Sequence, residues 1–423
     1  VKKESIVKRG RYLYVGVILV ALVASWIVSH PMKATANRGL SSPRFVADPF
    51  WPKPLPNGWV TGEIGGTCVD SRDHVFIVTR GFQNGGLTSP EGVGGAPKSI
   101  ASPPIIEFDR DGNAVNAWGD PSLVPASDPV NGNKNAVLPN GTHGCFVDYQ
   151  DNVWIGGNGD GIVQKYSHDG RHLLLQIGTK FQCDTPTGAC SNVGATGNSK
   201  TLLNLPADIA VDPNPDPVTG QRGSIYIADG YGNHRVVVFD KNGTYLRQMG
   251  GVGTGPGLFA SGDGGHPHCV VLGGDGLIYA CDRGNDRINV FRRDGTFLYE
   301  IPVIPGTAAL GTAGSAWDVD FSPDRDQTFM YESDGGNEVM WIFDHANRSI
   351  ISGFGKPGHG AGEFTFLHMM AIDSRGSLYV GETVGGRRIQ KFVRDGNVPD
   401  HKLELVSPAA NPNVVLPHYD PVK

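Results

Sequence analysis

The chain is short of charge, of closely paired cysteines and, past its first residues, of surplus base. Only 18% of its 423 residues are charged, a composition that favours short strands over long salt-bridged helices. No C-x-x-C spacing occurs, which removes a thiolate zinc motif from consideration. Of 36 Lys/Arg and 42 Asp/Glu in all, the first 36 residues hold six and one, so the remainder keeps 30 against 41 and a formal charge of −11. That balance excludes a basic surface for nucleic acid or anionic lipid. What is abundant is 60 glycines and 30 prolines, the residues of tight turns, and this makes an internal repeat the first thing to seek.

The clearest repeat reads Leu205-Pro-Ala-Asp-Ile-Ala-Val-Asp212, Gly223-Ser-Ile-Tyr-Ile-Ala-Asp229, His234-Arg-Val-Val-Val-Phe239 and Asn242-Gly-Thr-Tyr-Leu-Arg-Gln-Met-Gly250. Each piece is apolar or alternating over a few residues and is bounded by Gly, Asn, Asp or Pro, so each predicts one strand of an antiparallel meander. The order returns at 267–301 with Leu277-Ile-Tyr-Ala-Cys-Asp282 and Arg287-Ile-Asn-Val-Phe291. It returns again at 367–403 with Ser377-Leu-Tyr-Val-Gly-Glu382, and at 142–178 with Asn152-Val-Trp-Ile-Gly156. A diverged copy spans 315–355. Another is split, with Thr67 to Gly81 before a Gly/Pro-rich insertion and Ile105 to Gly119 after it.

Six four-stranded units cannot bury their faces singly, whereas a radial ring buries them against each other. The motif Ile-Tyr-Ile-Ala-Asp followed by Arg-Val-x-x-Phe resembles NHL repeats. The expected fold class is therefore all-β, a six-bladed β-propeller of NHL repeats over residues 58–405.

Residues 1–36 predict a secretory signal peptide or an uncleaved signal anchor. Lys2, Lys3, Lys8, Arg9 and Arg11 precede an apolar run, 12–28, and then Ala34-Thr-Ala36. The run 12–28 is also a candidate membrane tether, at the lower end of spanning length. Residues 37–57 read as a linker and 406–423 as a tail. Within the tail, 408–422 is weighed as a closing strand, against which its prolines argue. The propeller is expected outside the cytoplasm, secreted or periplasmic. In such a compartment Cys183 and Cys190, close in one polar loop, predict a disulfide. Cys68, Cys145, Cys269 and Cys281 lie inside apolar strand patterns and read as small buried hydrophobes.

Repeat register places Gly65, His143, Ala207, His268, Trp317 and His368 at one equivalent position of blades one to six. The histidines fall on blades two, four and six, about 120° apart in a six-fold ring. A single histidine at a strand start is ordinarily just hydrogen-bonded, but three at alternating blades need a common cause. Three imidazoles leave an open fourth position on a tetrahedral ion, the catalytic pattern, and zinc fits best although iron, copper and manganese also accept imidazole. His266 competes with His268 for the second place and is disfavoured by register. His74, His234, His345 and His359 lie elsewhere in the repeat and read as surface or loop residues.

Local matches extend the pattern. Thr142-His143-Gly-Cys-Phe-Val-Asp148, Pro267-His268 before Ala280-Cys-Asp-Arg-Gly-Asn-Asp-Arg287, and Leu367-His368 before Val380-Gly-Glu382 resemble the three ligand regions of peptidyl-α-hydroxyglycine α-amidating lyase, the lyase half of peptidylglycine amidating enzymes. Ala228-Asp-Gly-Tyr231-Gly-Asn-His-Arg235 and Val78-Thr-Arg80-Gly81 resemble the segments that carry that family's catalytic tyrosine and active-site arginine.

The resemblance implies Zn2+ on His143, His268 and His368, with Tyr231 and Arg80 as catalytic groups. It implies cleavage of the C–N bond of a carbinolamide, so the expected partner is a small molecule or peptide bearing a hydroxylated amide. A phenol is a weak base unless a cation stabilises its phenolate, which the metal and Arg80 would do, and Arg80 could instead fork onto a substrate carboxylate. The family's calcium-binding acid after the third histidine is Met369 here, so calcium stays open as a cofactor but without support at that position. The family's cysteine after the tyrosine is Gly232, and no copper hydroxylase domain is found within these residues. The alternative is a non-catalytic exported propeller that binds a protein or ligand on its top face. A calcium-dependent lactonase-type propeller is disfavoured, because such sites use acids and Asn rather than three histidines.

Overall fold

Each apolar run bounded by turn residues becomes one strand, because alternation along it lets both faces of a sheet pack against neighbouring sheets while Gly, Asn and Asp reverse the chain. The computed structural model describes residues 40–81, 100–119, 138–191, 197–262 and 264–394. Six four-stranded antiparallel sheets follow one another along it, an all-β six-bladed propeller. The innermost strands are Ile64–Val69, Thr142–Val147, Asp208–Pro215, Val270–Leu272, Asp318–Phe321 and Leu367–Ile372. Neighbouring blades pack around the ring, and Leu367–Ile372 meets Ile64–Val69. Apolar layers fill each gap between blades; Tyr279, Ile288 and Val290 of blade four, for example, pack on Val319, Met330 and Trp341 of blade five. This propeller belongs to a unit Pro43–Lys423, distinct from Val1–Ser42.

The ring closes differently from the sequence expectation. Phe45–Asp48, inside the stretch read as linker, forms the fourth strand of blade six and pairs antiparallel with Ile389–Arg394, Phe45 opposite Arg394 and Asp48 opposite Lys391. A four-residue strand fenced by prolines carries too little periodicity to be read locally; its partner lies at the other end of the chain. Phe45 and Ala47 enter the apolar layer of Tyr331, Phe354 and Phe392. Trp51 is buried against Phe108 and Tyr379, with ring centroids at 5.5 and 4.8 Å, tying blade one to blade six. At the insertion, Ile100–Ala101 runs parallel to Trp59–Val60.

All six cysteines are paired. Cys183–Cys190 forms, and so do Cys68–Cys145 and Cys269–Cys281, which corrects the reading of the last four as unbridged hydrophobes. Cys68 and Cys145 lie on the inner strands of adjacent blades, and Cys269 and Cys281 lie beside each other at the start of blade four. Strand pattern alone cannot show such cross-strand partners. Among the described residues no helix is long and apolar enough to cross a membrane; the segments 1–36, 12–28 and 406–423 lie outside those residues.

Along the axis the inner strands enclose a cavity of about 330 Å3 lined by Val69, Val147, Val211 and Leu272 together with Asp208 and Asp318. Each of these carboxylates accepts a main-chain N–H from the next blade, Asp208 from Val270 at 3.0 Å and Asp318 from Met370 at 2.9 Å. Burial pushes both acids above the usual carboxylate range, and for Asp318 the charge of Asp208 adds to it. They are therefore protonated in the fold at pH values where the unfolded chain ionises them. Folding then takes up protons, and stability is lost as pH rises through their raised values. From about pH 4 up to about pH 7, the interval between the ordinary and the raised value of Asp208, urea unfolding of the metal-free protein should lose more stability in wild type than in the Asp208→Asn/Asp318→Asn variant. Identical slopes would show that these acids titrate alike in both states.

Candidate metal centre

His143, His268 and His368 are buried, and one ring nitrogen from each lies within 4.8 Å of the others. Their ring centroids are 4.8 to 5.0 Å apart and mutually edge-on. Local irregularities aim them. The pairing of Thr142–Val147 with Val153–Gly157 slips between His143 and Cys145, and that of Leu367–Ile372 slips between Leu367 and Met370. Such a bulge re-aims a side chain without ending the sheet.

The next blade then fixes each ring. His143 Nδ1 lies 2.6 Å from the Ala207 carbonyl and His268 Nδ1 2.7 Å from the Trp317 carbonyl. Ala207 and Trp317 are the register equivalents of the histidines in blades three and five. A carbonyl only accepts, so each Nδ1 carries the proton and each Nε2 keeps a lone pair. His268 Nε2 is buried without a hydrogen-bond partner, although leaving such an atom unmet costs about 1–3 kcal/mol. His368 Nδ1 makes no hydrogen bond within bonding geometry, while the nearby Ile64 backbone favours its protonated form.

Burial foremost holds all three imidazoles well below the usual histidine range. For His143 the charges of His368, Arg80 and Arg283 add to it, for His268 those of Arg283 and the other two histidines, and for His368 those of Arg80 and Arg283. Neutral imidazoles with inward lone pairs and an orphaned Nε2 fit a transition-metal ion.

Tyr231 lies in the turn that follows the strand Arg222–Asp229. Its hydroxyl is 3.1 Å from His143 Nε2, and its ring contacts His268 edge-on at 5.9 Å. Gly265 makes this possible. At φ +73° a Cβ there would sit 2.9 Å from the tyrosine ring and 3.1 Å from His268. Arg80 follows the strand Val75–Thr79. Its Nε donates to the Thr142 carbonyl at 2.8 Å, Nη1 is 3.6 Å from Glu63 Oε2, and Nη2 is buried with no partner. The arginine enters through the space that Gly65, the blade-one ring position, leaves open, since a Cβ on Gly65 would collide with the Thr142 carbonyl and crowd the Arg80 Nε.

One functional residue escaped the sequence reading. Arg283 is buried, stacks on Trp317 at 4.1 Å and places Nη2 3.5 Å from the Tyr231 hydroxyl. The signal was available: Arg283-Gly-Asn-Asp-Arg287 repeats the register of Tyr231-Gly-Asn-His-Arg235, so the same turn in blades three and four delivers both side chains. His266 lies outside the cluster of three; its Nδ1 accepts the Gly284 N–H at 3.1 Å in the turn that bears Arg283. His234, read as a surface or loop residue, is in fact buried and stacked on His266 at 6.3 Å. A second cluster, Asp70, Glu107 and His168, already encloses a cation, because Arg72 Nη2 lies 2.9, 3.3 and 2.9 Å from the three.

No protein-family model matches the chain. It is 24% identical over 389 residues to NHL repeat-containing protein 3 of Mus musculus, covering 87% of this chain and 89% of that protein. It is 26% identical over 343 residues to peptidyl-glycine alpha-amidating monooxygenase B of Xenopus laevis, which covers 76% of this chain but 33% of that protein. Over 173 residues it is 25% identical to the probable peptidyl-alpha-hydroxyglycine alpha-amidating lyase pgal-1 of Caenorhabditis elegans, with 39% and 42% covered. With six blades of the repeat in place, the molecule is an NHL-repeat β-propeller. It is similar both to NHL repeat-containing protein 3 and, over a shorter span, to peptidylglycine amidating enzymes.

Gly265→Ala should destabilise the fold by at least roughly 1–2 kcal/mol, the cost of a left-handed L-residue, and should displace Tyr231. Chemical denaturation together with tyrosine fluorescence checks both, and an unaltered protein would show that the Gly265 loop does not bear on the ring.

Proposed function

We propose that the chain is an exported, zinc-dependent lyase that cleaves the C–N bond of a carbinolamide such as a peptide ending in α-hydroxyglycine, giving the amide and glyoxylate. The observation that carries this reading is the Tyr231 hydroxyl 3.1 Å from the Nε2 of His143, within a ring of three neutral imidazoles. The likeness to the amidating-lyase domain supports it. Three disulfides and no free cysteine support export into an oxidising compartment.

His143, His268 and His368 would hold the ion, which when bound supplies a Lewis acid for the substrate hydroxyl. The chain's own groups do the rest. Tyr231, as its phenolate, takes the hydroxyl proton, the electron pair of that O–H bond becomes the new C=O bond, and the C–N pair leaves with nitrogen. The same proton, returned from Tyr231, completes the amide, so no net proton is released. Arg283 offers positive charge beside the tyrosine oxygen while it carries the negative charge. Arg80 Nη2, buried without a hydrogen-bond partner, is available for the substrate carboxylate, while its Nε is committed to Thr142.

A second reading, a non-catalytic exported propeller, draws on the similarity to NHL repeat-containing protein 3, which extends over more of both chains. Activity separates the two. Zinc-loaded protein should release glyoxylate from α-hydroxyhippurate. Tyr231→Phe should lower kcat by about 10²–10⁴-fold, the usual worth of a positioned base, and Arg80→Ala should act mainly on KM. Stoichiometric zinc with no glyoxylate would defeat the lyase reading. A metal-free protein indifferent to His143→Ala, His268→Ala and His368→Ala would favour the scaffold.

A further inference from the structure

One core position breaks the repeat. The middle residue of each second strand is Ile77, Ile155, Ile227, Ala280 and Val380 in five blades, all fully buried and apolar. In blade five it is Glu332, at 0% exposure. Burying a carboxyl where five sister blades bury hydrocarbon is costly, and a local rule broken at cost points to function. The carboxyl does not sit in an ion pair. Its Oε1 accepts the Trp317 N–H at 3.2 Å, and its Oε2 has no hydrogen-bond partner.

What Glu332 touches is the corner that carries the blade-five ring position. Ala316 there is left-handed at φ +61°, a conformation an L-residue keeps only when its surroundings hold it. The Glu332 carboxyl faces the N–H groups of both Ala316 and Trp317; the Trp317 N–H is shared with the Ser333 carbonyl at 3.0 Å. Past that corner Trp317 does two things for the site. Its carbonyl receives His268 Nδ1, and its indole, anchored by Nε1 on the Gly314 carbonyl at 2.7 Å, lies under Arg283.

We propose that Glu332 is a positioning residue, resting on the lyase reading above, whose carboxyl braces the Ala316–Trp317 corner and through it sets the tautomer of His268 and the place of Arg283. Burial, with Asp334 and Asp318 nearby, pushes its carboxyl well above the usual range, so it acts as a neutral acceptor, and an amide can replace it.

The test uses the full chain, with Glu332→Gln, Glu332→Leu and Glu332→Leu/Ala316→Gly. The first readout needs neither metal nor activity: the His268 Nδ1–H proton resonance in metal-free protein labelled with 15N-histidine, assigned by its loss in His268→Asn. It should persist in Glu332→Gln and be lost to exchange in Glu332→Leu. It should return in the double variant, because glycine holds the left-handed corner without strain. Zinc affinity by chelator competition should fall about 10–100-fold in Glu332→Leu, as for groups that orient ligands. The proposal is overturned if the resonance is unchanged in Glu332→Leu, or if Glu332→Gln loses it equally. A wild type that binds no zinc defeats the lyase reading alone, because the resonance test stands without metal.

Discussion

A hydrogen bond from a histidine Nδ1 to the main-chain carbonyl of the next blade is the contact on which the site depends. Because that carbonyl can only accept, the bond at once fixes the tautomer, points Nε2 at the axis and sets the spacing between blades. His143 on Ala207 and His268 on Trp317 follow this rule. The converse bonds run beside them, since Asp208 and Asp318 of the intervening blades accept N–H groups two residues beyond His268 and His368. Blades three and five are thus each stitched to both neighbours, to the preceding blade through its histidine and to the following blade through their own aspartate. Ring closure by Phe45–Asp48 and the disulfide between Cys68 and Cys145 hold the same spacing at the seam of blades six, one and two.

Much of this was legible in the sequence, for a definite reason. A repeat with constant strand lengths makes register a coordinate, so three histidines at one register already imply three rings at one height on the axis. Tyr231 and Arg80 were placed by resemblance and lie beside the triad, yet register could also have reached Arg283, which shares its turn position with Tyr231. What stayed hidden depends on partners far off in the chain. The closing strand Phe45–Asp48 is too short to show alternation, and the pairing of Cys68 with Cys145 belongs to two blades at once. Cys269 and Cys281 meet just ahead of the strand Val270–Leu272, where the His268 N–H bonds the Cys281 carbonyl at 2.8 Å and the Cys281 N–H the Cys269 carbonyl at 3.3 Å.

Some of the molecule's unmet polar atoms lie around the ring. Orphaned His268 Nε2, the buried Nη2 of Arg80 and the lone Oε2 of Glu332 are all unmet polar atoms near one centre. Left-handed Ala316 and the Gly265 turn add backbone that packing must hold in place. Blade five, the most diverged copy, is also the one whose tryptophan replaces a small ring residue. Its departures at Trp317 and Glu332 are linked through one corner.

The central claim is that three inward imidazole nitrogens create one open coordination site beside Tyr231. X-ray absorption at the metal edge of zinc-loaded protein tests it most directly. The account predicts one ion per chain with three imidazole nitrogens at about 2.0–2.1 Å and a single oxygen neighbour that changes when an α-hydroxy amide is added. An ion bound by carboxylates or sulfur, a closed four-imidazole shell, or no ordered shell at all would contradict it.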